Sequence, residues 1–167
     1  MEELEQALRA VRLVVFDFDG VFTDNRVWVS ERGEESVACC RADGYGLRRL
    51  AEVGVQCLIV TSEVVPVASA RARKLSVPCI QAAGDKLAVV EAEAERRGVP
   101  LDETAFVGND VNDAECLDAV GLPVVPADAW PEVRALARWV LQRRGGEGCV
   151  CELCDAVWSA RREAAAP

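Results

Sequence analysis

Histidine is missing from the 167-residue chain, and no other feature narrows its chemistry as far. Ser-His-Asp and Cys-His nucleophile systems, zinc sites built on imidazole and phosphohistidine relays all lose their central group. Acid–base work near neutral pH then falls to carboxylates, lysine or metal-bound water. Positive charge is scarce too: 19 Lys and Arg stand against 28 Asp and Glu, a formal net charge of −9. That balance argues against nucleic acid and anionic membrane as partners, because binding a phosphate backbone takes a basic face. A phosphorylated small molecule therefore needs local help, such as a cation. No apolar run approaches the length of a membrane span, and no secretory leader is evident. Eight cysteines in that setting, Cys39 and Cys40 adjacent, suit a reducing cytoplasm better than a disulfide framework.

A chain of this length is expected to form one domain, 1–167, able to bury roughly two-thirds of the surface its unfolded form exposes. Buried-strand candidates are Leu13–Phe16, Val55–Val60, the short "VPCI" from Val77, Thr104–Val107 and Val124–Val125. Helical spacing of apolar residues predicts helices at Tyr45–Glu52, Pro66–Leu75, Lys86–Arg97 and Asn112–Ala119. Such alternation predicts an α/β fold, a Rossmann-like three-layer parallel sheet. One early insert, about 25–41, reads "NRVWVSERGEESVACC" and forms a β-hairpin turning at Gly33. After Pro131 the spacing of Val133, Leu136 and Val140 predicts an amphipathic helix, and a cysteine-bearing tail follows from about 145. Val150, Leu153, Val157 and Trp158 predict that this tail is an ordered helix.

Ligands of open parallel sheets bind at the carboxyl ends of the strands, and there the chain concentrates its reactive groups. The first strand, in "VRLVVFDFDGVFTD", ends in Asp17, Asp19 and Gly20; the next ends in Thr61, Ser62 and Glu63; a later one ends in "GNDVND", with Asp110 and Asp113. Lys86 opens a helix after "AAGD". Carboxylates about 4 Å apart repel by roughly 4 kcal/mol per pair at an effective dielectric near 20, so the cluster calls for a cation. Mg²⁺ fits, because it takes oxygen ligands, keeps waters and is commonly shared with a substrate phosphate. Asp17 then suits attack on phosphorus, giving an aspartyl-phosphate, while Asp19 handles the proton. The Thr61 hydroxyl and turn N–H groups suit the equatorial phosphoryl oxygens.

These residues resemble the four motifs of the haloacid dehalogenase superfamily of phosphotransferases: "FDFDGVFTD", "IVTSE", the lysine of "AGDK" and "FVGNDVND". The resemblance spans nearly the whole chain. It implies Asp17 as nucleophile, Asp19 as acid and base, and Thr61, Ser62 and Lys86 as phosphate-binding residues. It places Mg²⁺ on Asp17, the main-chain carbonyl of Asp19 and Asp110, with Asp113 in support. The insert leaves no room for a cap domain, so the chain looks like the capless branch that includes the 3-deoxy-octulosonate 8-phosphate and deoxynonulosonate 9-phosphate phosphatases. The phosphatase-like domain of acylneuraminate cytidylyltransferases, in sialic acid biosynthesis, belongs there too. Members assemble through their hairpins into homotetramers, and the implied substrate contacts here are Glu63, Arg71 and Lys74. "GND" with "VPADAW" leans towards nine-carbon substrates.

Asn25 stands where that branch usually has glycine, and asparagine tolerates the left-handed conformation such a place requires. Cys151 stands where relatives carry an arginine in "GGxGxxRE", which questions the tail's usual reach towards a neighbouring subunit's site. Cys149, Cys151 and Cys154 show no fourth ligand for a closed zinc site. Two other classes compete with a phosphatase: an idle oligomerisation module associated with nucleotide-sugar synthesis, and a phospho-accepting receiver. A receiver needs an aspartate on its central strand, and "CLIVTSE" has none.

Overall fold

The computed structural model describes residues 2–164. In chain order the elements are α1 (Glu2–Ala10), β1 (Leu13–Phe16), β2 (Trp28–Val29), β3 (Glu35–Ser36), α2 (Asp43–Glu52), β4 (Gln56–Val60), α3 (Val67–Leu75), β5 (Cys79–Ile80), α4 (Lys86–Arg97), β6 (Thr104–Val107), α5 (Ala114–Ala119), β7 (Leu122–Val125), α6 (Pro131–Arg134), β8 (Trp139–Val140) and α7 (Cys149–Ala164). Six strands make one sheet in the order β5-β4-β1-β6-β7-β8, and every pairing in it is parallel. This is the α/β parallel-sheet architecture expected from the alternating pattern, and it fits the type that the family resemblance implies.

Alternate side chains of each strand feed opposite layers, as a pleat with period two requires. Val14, Phe16, Ile59 and Val107 pack with Leu47 and Leu50 of α2 and with Val150, Leu153 and Val157 of α7. Leu13, Val15, Leu58 and Phe106 pack on the other side with Val90 of α4, Leu117 of α5 and Val133 of α6. Both faces are covered, which is why these strands read as unbroken apolar runs.

Between β1 and α2 the described residues hold a hairpin, β2 and β3, joined in a small sheet of their own. An isolated Thr23–Cys39 bridge closes its base. Gly33 sits at φ 77° in the turn and Asn25 at φ 62° at its entrance, so Asn25 takes the left-handed conformation anticipated for it. Among the described residues no helix is long and apolar enough to cross a membrane.

The segment after Pro131 differs from the helix its spacing predicts. Helix stops at Arg134, Leu136 is 37% exposed, and Trp139–Val140 forms β8 at the sheet edge. Sheet pairing wins because β7 otherwise presents an open edge; Arg138 N–H donates to Pro123 O at 3.0 Å and Leu141 N–H to Val125 O at 2.9 Å. Helix α1 has no counterpart in the sequence reading. Only Leu8 of its residues is buried, and its apolar side packs against the same layer as α7.

Candidate active site

β1 lies between β4 and β6, so the chain leaves it towards one side of the sheet and later returns to the other. The crevice at such a switch point lies beyond the strand ends. Asp17 continues β1, its N–H donating to Val107 O at 2.9 Å. Thr61 continues β4, its N–H donating to Ile80 O at 3.0 Å. Together with Asp19, Ser62, Glu63 and Asp110 they line one cavity of about 140 Å³, and Asn25 and Asn112 complete it.

The turn after β1 is built around Thr23. This buried hydroxyl accepts N–H groups from Gly20 (3.1 Å) and Asn25 (3.2 Å) and donates to the Asp19 carboxylate at 3.4 Å. Gly20 has φ 80°, and a Cβ there would fall 2.0 Å from the Asn109 side chain. Only glycine satisfies both the dihedral and the close approach. Glycines of the tail brace the same turn: Gly146 N–H donates to Val21 O at 3.0 Å, and a Cβ on Gly145 would lie 2.0 Å from Gly20 O.

Lys86 is buried at the start of α4, its Nζ 3.2 Å from Asp17 Oδ1 and 2.6 Å from Asp113 Oδ1. The Asp113 Oδ2 accepts N–H groups of Asn109 (2.9 Å) and Asp110 (3.2 Å). Asp113 is therefore fully engaged by the chain's own donors. It stands behind Lys86 and is not among the cavity-lining residues, a supporting position. Gly108 permits this, since a Cβ there would meet Asp113 at 2.5 Å.

Electrostatics follow from burial. Loss of hydration raises the Asp17 carboxyl to about 7, the Asp113 charge adds to that, and Lys86 opposes it. Burial and then Glu63 hold Asp19 above its ordinary range. For Lys86 burial alone would lower the pKa, but Asp17 and Asp113 outweigh it and keep the ammonium charged.

A buried carboxylate raised this far is a place where a second cation restores the ionised form. Asp17 and Asp110 carboxylates share the cavity with Asp19. No group of three His, Cys, Asp or Glu side chains among the described residues forms a complete metal cage. Two carboxylates, a carbonyl and water are nonetheless what Mg²⁺ commonly takes from a protein, so the donor set fits that ion.

Not every residue singled out from sequence reaches this cavity. Arg71 is half-buried and its Nη2 donates to Cys40 O at 2.9 Å, tying α3 to the return of the hairpin. Lys74 is exposed on α3. Neither lines this cavity or the larger one beside it. Glu63 lines both. Thr23, Asn109 and Asn112 were not singled out as site residues from the sequence, since a neutral side chain in a loop carries no periodic or charge signal. Their proximity to "DFDG" and their place in "GNDVND" were the available hints.

The neighbouring cavity, about 210 Å³, opens towards the hairpin and shares Asp19, Asn25 and Glu63 with the acidic one. Arg26, Val27, Glu35 and Val37 form its hairpin side; Val65 and Val67 lie opposite.

Known proteins resemble this chain in sequence and in fold. A family model described as haloacid dehalogenase-like hydrolase matches residues 59–150. The 3-deoxy-D-manno-octulosonate 8-phosphate phosphatase of Yersinia pestis is 31% identical over 157 residues, 93% of this chain and 84% of that protein. Its crystal structure matches with a TM-score of 0.93 at 30% identity, over 97% of this chain and 88% of that one. The Moraxella catarrhalis phosphatase of the same name, in complex with magnesium, phosphate and KDO, matches with a TM-score of 0.93 at 26% identity. That match covers 98% of this chain and 94% of that one.

Proposed function

The chain belongs to the haloacid dehalogenase-like hydrolases and is a phosphatase, and on that premise we propose that it hydrolyses the phosphomonoester of a keto sugar acid. The observation that carries this reading is the single cavity lined by Asp17, Asp19, Thr61, Ser62 and Asp110, with Lys86 ion-paired to Asp17 from behind. The eight-carbon 3-deoxy-octulosonate 8-phosphate is the favoured substrate, since the relatives above are named for it; the nine-carbon analogue is the alternative.

Asp17 attacks phosphorus through a carboxylate oxygen, forming an acyl phosphate as the bond to the sugar oxygen breaks. Asp19, kept protonated more readily than a free carboxyl, gives its proton to that leaving oxygen and then takes one from the attacking water. Water adds to phosphorus, inorganic phosphate departs and Asp17 is regenerated. Thr61 accepts the Glu63 N–H at 3.2 Å, which leaves its own hydroxyl proton free for a phosphoryl oxygen. Lys86 holds the nucleophile in place and balances two buried carboxylates. Asp17, Asp110 and the Asp19 carbonyl would hold Mg²⁺, which supplies positive charge against the phosphoryl oxygens. An idle assembly module has no use for this arrangement, since a carboxylate cluster that does no chemistry only costs stability.

The test is phosphate release across keto-sugar-acid phosphates, neutral sugar phosphates and an aryl phosphate, with Mg²⁺ and with EDTA. Activity is expected with Mg²⁺ only, highest on a keto-sugar-acid phosphate. Asp17→Asn is expected to abolish it, because an amide cannot form the acyl phosphate. Retention of about a tenth of the wild-type rate rules out the covalent route.

A further inference from the structure

Helix α7 carries the chain from the catalytic turn to the other end of the sheet. From Cys149 to Arg162 it advances roughly 20 Å at about 1.5 Å per residue. Arg161 Nη1 donates to Val11 O at 2.6 Å, just before β1 begins, whereas Asp17 stands where that strand ends. Here lies a cavity of about 460 Å³ lined by Glu52, Val53, Trp158, Arg161 and Arg162. It shares no residue with the acidic cavity or with the one at the hairpin.

Its wall is built. Arg49 Cζ lies 4.5 Å from the Tyr45 ring centre and 4.8 Å from that of Trp158, and Arg162 Cζ lies 4.6 Å from the Trp158 ring centre. Trp158 donates its indole N–H to Glu52 at 3.0 Å, and Arg49 pairs with Asp155 at 2.6 Å. Stacking occupies the face of a guanidinium and leaves its N–H edge for an oxyanion. Arg49 spends that edge on Asp155; Arg161 and Arg162 have no ion-pair partner among the described residues. Basic residues in a last turn complement the helix dipole, which accounts for their charge but not for a cavity with an indole wall, of the size that small ligands occupy.

We propose that this cavity is a second ligand site, which binds a phosphate dianion, free or as the monoester of a small molecule, through the Arg161 and Arg162 guanidinium groups. Two guanidinium charges match that dianion. Val53 and Trp158 supply apolar surface for the body of an ester. The assignment rests on neither the substrate nor the mechanism proposed above.

The test follows the Trp158 indole N–H in ¹H–¹⁵N spectra of the full chain, assigned with Trp158→Phe, as inorganic phosphate or AMP is added in EDTA. Sodium chloride at matched ionic strength is the control. A saturable shift is expected at millimolar ligand or below, retained in Asp17→Asn and weakened at least tenfold in Arg162→Gln and in Arg161→Gln. Tighter binding of AMP identifies an ester as the ligand, and tighter binding of phosphate the free anion. Arg162 makes no side-chain hydrogen bond among the described residues, so Arg162→Gln is expected to keep the melting temperature and to change Mg²⁺-dependent aryl phosphatase activity less than twofold. No shift, a shift that chloride reproduces, or equal affinity in Arg162→Gln overturns the assignment. Loss of the shift in Asp17→Asn also overturns it, because the anion then sits in the catalytic crevice.

Discussion

Asp43 shows how one side chain couples the two helices behind the site. It opens α2, is fully buried, and one carboxylate oxygen accepts the Cys151 N–H of α7 at 3.3 Å while the other has no partner. A helix N-terminus favours a negative charge, but here burial dominates and pushes the carboxyl up to about 6, against the Cys151 N–H and the charges of Arg71 and Arg143. The sign follows from proton counts. Below an unfolded value of 3.8 the group is neutral in both states and costs nothing. As pH rises towards about 6 the unfolded chain ionises first, the folded one holds the extra proton, and stability falls. The loss, on the order of 2–3 kcal/mol, is complete above the folded pKa. Asp43→Asn is expected to remove it, so urea unfolding at pH 4.5 and pH 7 should find wild type losing stability relative to the variant. A constant difference between the two proteins contradicts this account.

At the scale of the element, α7 decides what the tail is for. Its residues Cys149, Val150, Leu153, Cys154 and Val157 are fully buried, and it makes its largest contact with α2. Gly46 of α2 admits the close approach, since a Cβ there would stand 2.8 Å from the Cys151 Cα. In the family the tail reaches towards a neighbouring subunit's site, a reach that Cys151 puts in question, and here this face is committed to the chain's own core. The glycines before it are pressed against the turn that carries Asp19. Fully burying Val150, Leu153 and Val157 is worth about 1.5–3 kcal/mol each, comparable in sum to the whole stability of a domain, about 5–15 kcal/mol. Deleting the chain from Gly145 is therefore expected to abolish hydrolysis of aryl and sugar-acid phosphates alike and to remove cooperative unfolding. Aryl phosphatase activity surviving in a folded truncated protein contradicts the bracing role.

For the whole molecule the conspicuous surface is the hairpin, where Val27, Trp28 and Val29 are 51%, 70% and 61% exposed. A short two-stranded ribbon is marginal alone, and a contiguous apolar patch of this kind commonly marks an association surface. We expect it to be covered by further copies of the chain, in the four-subunit arrangement that the family resemblance implies. Light scattering at micromolar concentration should return a multi-subunit mass, and Trp28→Glu should reduce it. A monomer mass for wild type removes the assembly.

Order and spacing along the chain were sufficient to assign the parallel sheet, the hairpin, the absence of any imidazole mechanism and the strand-end cluster of Asp17, Asp19, Thr61, Lys86 and Asp110. Those signals are local: apolar runs, breaks between them, and acids where a buried strand stops. Spacing does not separate Asp110 from Asp113; the family resemblance ranks them, and the folded chain supplies the physical reason, with Asp110 in the cavity and Asp113 engaged by Lys86 and two N–H groups. The same holds for β8 in place of a helix and for α7 closing this chain's own core. Each depends on a partner distant in sequence, an open strand edge, an uncovered apolar layer or a shared cavity, and such a partner exists only after the elements have packed.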